Sequence, residues 1–297
     1  MFNGCYDIKS APELPAENLL SGCYKGMFMN CKSLLDTPVL SSTTLESYCY
    51  QAMFSNCISL TGVSELPATT LPYACYKSMF YKCTSLTQPP KLYAETLSGY
   101  SCSLMFSDCT SLINPPELFA DELGIGCYQQ MFSNCTSLTQ APELSAATLA
   151  DYCYLEMFEG CSSLTQAPEL PAITLADFCY NKMFQNCTSL TQAPELPASS
   201  LTLYCYSGMF NGCTSLVQAP ELPATTLASN CYSYMFENCT SLSSISVKFT
   251  EWTDSSTLNW LNGVASTGTF TGPEDLFESN QSRDGSHVPV NWTINQN

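Results

Sequence analysis

Ten of the eleven methionines stand at positions 1, 27, 53, 79, 105, 131, 157, 183, 209 and 235, and each is followed by phenylalanine. The interval is 26 residues every time. Cysteine keeps the same frame from Cys5 to Cys239, and leucine does so from Leu34 to Leu242. No insertion or deletion breaks it; in the one odd copy, Ser101 takes the usual cysteine column and Cys102 the usual tyrosine column. A globular domain has no use for such a frame. A stack of coils does, because each residue then packs against its own copy one coil away.

Two textures alternate within a coil. The stretch TLADFCYNKMFQN (174–186) carries apolar Leu175, Cys179, Met183 and Phe184, with Cys187 following, the spacing of a helical stripe. Thr174 with Asp177, and Thr148 with Asp151, look like capping-box starts, and Pro72 falls just inside the equivalent helix. The column before the second cysteine is Asn or Gly at 4, 30, 56, 134, 160, 186, 212 and 238, residues that tolerate the left-handed conformation ending a helix. The stretch CTSLTQAPELPA (187–198) reads as a brief strand, kept short or bent by Pro194. Leu190, Ala193, Leu196, Leu201, Cys205, Met209 and Phe210 are expected to fill the interior.

The expected fold is therefore an α/β solenoid, a curved array of short parallel strands and short helices. About nine coils of 26 residues occupy 1–244, and 245–297 form a capping segment. That last segment holds Trp252, Trp260, Trp292, the only arginine (Arg283) and the only histidine (His287). Met1 falls inside a repeat, so the frame enters mid-coil and an N-terminal cap is expected upstream of it.

The units resemble the BspA-like leucine-rich repeats of bacterial surface proteins through Phe184, Cys187, Ser189, Leu190, Ala193, Leu196 and Pro197. They are also similar to the repeats of mycoplasma and Listeria surface proteins through Met183, Phe184, Asn186, Ser189, Leu190 and Gln192. Ala and Pro stand where better-studied members carry β-branched strand residues. The closing run WLNGVASTGTF (260–270) resembles the segment that follows such repeats in gut-bacterial proteins. The resemblance implies a curved leucine-rich-repeat array and a cell-surface, extracellular protein of adhesion, with a host or neighbouring-cell protein or glycan as partner.

Charge excludes several classes. Nine basic against 26 acidic residues give −17, which disfavours nucleic acid and anionic membrane surfaces. No run of apolar residues is long enough to span a bilayer, and no basic segment followed by an apolar one opens the chain. Catalysis needs a converging, non-repeated set of groups, whereas Ser, Thr, Glu and Cys here come in many copies. No phosphate loop, metal signature or cofactor motif is present, so an enzyme is not expected, nor a metal or cofactor.

Three columns are candidates for function. The 19 cysteines form two columns eight residues apart, a poor zinc pattern; buried free thiols are expected, with some disulfides as the alternative. Glu117, Glu143, Glu169, Glu195 and Glu221 share one strand position on consecutive coils, with Glu13 and Glu65 earlier and Val39 and Lys91 as exceptions. Gln140, Gln166, Gln192 and Gln218 form a second polar column nearby. Together they are the candidate ligand-binding face, an acidic track, against the plainer reading of a solvated outer row. The tyrosine column (24, 50, 76, 128, 154, 180, 206, 232) is expected at the rim of the core, with an aromatic contact surface as the alternative. Asn134-Cys135-Thr136 and its copies match glycosylation sequons only because the repeat writes them. The function expected is a non-catalytic binding or adhesion module; the alternative is a structural spacer or a component of a phage receptor-binding fibre.

Overall fold

The computed structural model describes residues 1–16, 18–253, 255–278 and 287–297. It is a parallel β-solenoid of about nine turns. The expected helices are absent from the repeats: the one helix among the described residues is α1, Asp275–Glu278, in the last segment. The stretch read as a helix is instead a ribbon of consecutive turns.

Its hydrogen bonds alternate residue by residue. In the first full ribbon, the N–H groups of Cys23, Lys25, Met27, Met29 and Cys31 donate to carbonyls three residues back, on Leu20, Gly22, Tyr24, Gly26 and Phe28. The intervening N–H groups of Gly22, Tyr24, Gly26, Phe28 and Asn30 donate to Ser47, Cys49, Gln51, Met53 and Ser55 in the next coil, at 2.8–3.0 Å. Half the donors close turns and half tie coils together, so every N–H from Gly22 to Cys31 has a backbone acceptor. Every fourth residue is left-handed, as at Tyr48 (φ 62), Ala52 (φ 53) and Asn56 (φ 61).

The reason lies in the apolar period. An α-helix turns by about 400° in four residues, so a strict four-residue stripe drifts by about 40° per step. Cys179, Met183 and Cys187 keep that strict spacing and are all fully buried; over these two steps a helix would rotate the stripe by about 80°, a rotation that a four-residue ribbon does not need. The Asn/Gly column does adopt φ > 0, and so do Lys82 and Asp108 within it, both at φ 60, but it marks a turn in the ribbon rather than a helix end. The expected hydroxyl caps are replaced too. Asp151 accepts from the N–H of Asp177, and Asp177 from the N–H of Leu203, each 3.1 Å away and one coil further on.

Strands are as short as the prolines require. β1 (Thr70–Leu71) pairs in parallel with β2 (Thr96–Leu97). Elsewhere in the array single parallel bridges join neighbouring coils, as at Gln166 and Gln192. A four-stranded parallel sheet closes the C-terminal end: β3 (Gln218–Leu222), β4 (Ser244–Val247), β5 (Thr269–Gly272) and β6 (Thr293–Gln296). The β3–β4 register slips between Gln218 and Glu221, where Pro220 has no N–H to give.

Phenylalanines form a continuous stack from Phe2 to Phe236, with ring centroids 5.4–5.8 Å apart. The tyrosine column is core rather than rim from Tyr50 onward, stacked as Tyr128–Tyr154–Tyr180–Tyr206 at 5.7–6.0 Å. All 19 cysteines are free thiols, 17 of them buried. Those of one column donate to the carbonyl of a phenylalanine in the preceding coil, as Cys187 does to Phe158 at 3.1 Å. That carbonyl also accepts the N–H of Cys161. A small apolar side chain with one weak donor fits this position.

Residues 245–297 shorten the coil rather than abandon it. Tyr232, Tyr234 and Phe236 donate to Ser256, Leu258 and Trp260, one residue earlier than the frame requires, which sets Trp260 in the methionine column. Each indole N–H in this segment reaches a carbonyl: Trp252 to Leu276, Trp260 to His287 and Trp292 to Ala265. The ring of His287 stacks on Trp252 at 4.5 Å, and its Nδ1 lies 3.2 Å from Thr257 Oγ1. Arg283 lies outside the described residues.

Candidate binding face

The strand side of the coils carries the expected polar columns. In AxExPx order the strand buries Pro194, Leu196 and Ala198 and exposes Glu195 and Pro197, so alternation turns the Glu column outward; Gln192, of the buried parity, is exposed as well, ahead of the alternating stretch. All nine candidate residues are exposed: Glu117, Glu143, Glu169, Glu195, Glu221, Gln140, Gln166, Gln192 and Gln218.

Six of them converge on two adjoining clefts. One, of about 720 Å³, is bounded by Gln192, Glu195, Gln218 and Glu221, with Pro194, Pro197, Pro220 and Pro223 as walls. The other, of about 570 Å³, lies between Gln166, Glu169, Gln192 and Glu195. Glu117, Glu143 and Gln140 line neither. The clefts open because the strands here do not form a ladder. The N–H groups of Glu169, Leu170, Glu195 and Leu196 have no backbone acceptor, while Gln166 and Gln192 still bridge. The prolines were missed as site residues, although two in every five positions of PELP-type strands already forbid a regular ladder.

Among the described residues, Glu117, Glu143, Glu169 and Glu195 make no ion pair and no side-chain hydrogen bond. Glu221 pairs with Lys248 at 3.0 Å. The coil spacing seen in the phenylalanine stack, 5.6–5.7 Å for Phe158, Phe184 and Phe210, puts the repulsion of neighbouring carboxylates at about 0.7 kcal/mol in bulk water. Solvent makes the row tolerable, and a cationic or hydrogen-bonding ligand would relieve it. The glutamine amides form no ladder with one another; their donors and acceptors face water.

The cysteines offer no chemistry on this face. Burial pushes the thiols up from their ordinary 9.0, that of Cys49 to about 11 and those of Cys57 and Cys109 to about 12, which withholds the nucleophilic thiolate. No group of His, Cys, Asp and Glu able to hold a metal occurs among the described residues.

No protein-family model matches the chain, and no curated protein matches it. Among solved structures it is similar to a leucine-rich repeat protein from Bacteroides ovatus, at 16% identity with a TM-score of 0.37, over 99% of this chain and 86% of that one.

Proposed function

We propose that the chain is a non-catalytic binding module of the cell surface that presents its strand side to an extracellular protein or glycan. The observation carrying this reading is the pair of clefts at coil register, rimmed by Gln192, Glu195, Gln218 and Glu221, where the N–H groups of Glu169, Leu170, Glu195 and Leu196 have no backbone acceptor among the described residues. Unpaired carboxylates, free amides and open backbone donors in one repeated face are what a multivalent polar contact uses. A spacer needs the stack but has no use for such a face.

The test is a printed array of extracellular-matrix proteins and glycans, probed with the intact chain and with Glu143→Ala/Glu169→Ala/Glu195→Ala. The reading expects at least one ligand whose binding falls tenfold or more in the triple variant. Binding that is identical in both chains, for every ligand held, refutes the acidic face as the site.

A further inference from the structure

A second surface lies on the turn-ribbon side of the early coils. Tyr48 and Tyr73 are exposed by 37% and 43%, and Tyr100 beside them is half-buried. Their rings meet edge to face, with centroids 5.4 Å apart at 69° and 5.8 Å apart at 70°. Unlike the buried stacks of the core, this zigzag lies at the surface, with Tyr48 and Tyr73 both exposed. The Lys25 ammonium sits 5.4 Å from the centroid of Tyr48, and that of Lys77 sits 5.2 Å from that of Tyr100.

Two features mark the patch as built rather than incidental. The next coil carries glycine where the rings overhang: a Cβ on Gly99 would fall 3.3 Å from Tyr73 Cε2, and one on Gly126 would fall 2.6 Å from Tyr100 Cε1. Both lysines also lack a carboxylate partner among the described residues, in a chain where acids outnumber bases by 17. The charge is segregated. Residues 1–91 hold six lysines and six carboxylates and balance to zero, so the whole deficit of 17 falls on 92–297.

We propose that Lys25, Tyr48, Tyr73, Lys77 and Tyr100 bind an acidic polysaccharide of the polyuronate class. Tyrosine faces stack on pyranose C–H groups, and the two ammoniums, each with donors to spare, take carboxylates on separate sugars. Three rings on successive coils step at roughly the length of one sugar residue, so a linear chain can run along the solenoid axis. The acidic remainder repels anions and confines such a ligand to this end. This surface is separate from the strand side and stands or falls independently of it.

The experiment uses immobilised polygalacturonate, with dextran as the neutral polymer and dextran sulfate as the purely ionic one. The intact chain is expected to bind polygalacturonate, more weakly as salt rises. Lys25→Gln/Lys77→Gln and Tyr73→Ser are each expected to weaken it about tenfold, the lysine variant with unchanged thermal unfolding and Tyr73→Ser with Tm lower by a few degrees but the chain fully folded at the assay temperature. Glu143→Ala/Glu169→Ala/Glu195→Ala is expected to bind as the intact chain does; loss there moves the ligand to the strand side and overturns the patch. Failure of the intact chain to bind, or full binding by the double lysine variant, also overturns it. Equal retention on dextran removes the role of the lysines, and dextran sulfate binding that matches polygalacturonate and ignores Tyr73→Ser removes that of the rings; either result refutes the assignment.

Discussion

Replacing Phe158 by alanine tests how the stack shares its stability. Phe158 is fully buried between Phe132 and Phe184, with ring centroids 5.6 Å away on each side and planes within 6° of parallel. The coils above and below are tied by backbone bonds at this level, Phe132 to Met157 and Phe158 to Met183, both 2.9 Å, so the space left by the ring cannot close. Truncation of a buried phenylalanine costs about 3–5 kcal/mol, and an uncollapsed cavity with two lost ring contacts places this one near the upper end. Phe2 stacks on one side only, against Phe28 at 5.4 Å, and is partly exposed, so Phe2→Ala should cost about 1 kcal/mol. Far-UV circular dichroism during thermal unfolding gives the readout. Phe158→Ala is expected to lower Tm by roughly 8 °C or more and Phe2→Ala by roughly 2–4 °C. Hydrogen exchange should show protection lost first in the coils flanking 158, since each coil is held by its neighbours alone. Equal shifts for the two variants, or a loss below about 1 kcal/mol at Phe158, would refute a continuous load-sharing stack.

The thiols give a pH signature. Folding raises the titration point of Cys49 to about 11 and of Cys57 and Cys109 to about 12, from 9.0, so their contribution to stability is complete below pH 9 and declines as pH climbs from 9 towards those values. Urea midpoints should therefore be flat from pH 6 to about 8.5 and fall steeply above 9; a midpoint unchanged at pH 10.5 contradicts burial of the protonated thiols. Before denaturation a thiol reagent should reach only the exposed Cys5 and Cys23, and afterwards all 19. Gly160 (φ 71) lies where an added Cβ would run into the Asn134 amide, and Gly212 meets Asn186 in the same way. Gly160→Ala should cost about 1–2 kcal/mol by urea unfolding, with part of it restored when Asn134→Gly removes the amide; no loss, or no rescue, breaks the link between the two positions.

The frame of 26 was enough to read stacked coils, inward columns and an outward Glu/Gln row, because in a solenoid each of these follows from register alone. The ribbon was harder. Leu175, Cys179, Met183 and Cys187 satisfy an i, i+4 pattern that a helix shares, and the buried i, i+3 pairs Tyr180–Met183 and Phe184–Cys187 fit a helix as well, so over one coil a period of four reads as 3.6. Left-handed backbone at residues as ordinary as Tyr48, Ala52 and Leu104 has no local sequence signature; the inter-coil bonds impose it. The clefts were half legible. Prolines at 194, 197, 220 and 223 announce a broken ladder, but that the gaps adjoin Glu195 and Glu221 depends on how the strands separate in space. The tyrosine–lysine patch was out of reach, since Tyr73 falls outside every repeated column and meets Tyr48 and Tyr100 only across coils.

The central claim is the turn ribbon, and Ala52→Gly tests it by sign. Ala52 is held at φ 53, and the equivalent position is already glycine at 26 and 208. Relief of left-handed strain is worth about 1–2 kcal/mol, against about 0.4–1 kcal/mol for the added freedom of the unfolded chain. Equilibrium urea unfolding should therefore show the variant more stable by roughly 0.5–1 kcal/mol. Were this stretch an α-helix, the same change would destabilise the chain by about 1 kcal/mol, and a measured loss of that size contradicts the ribbon.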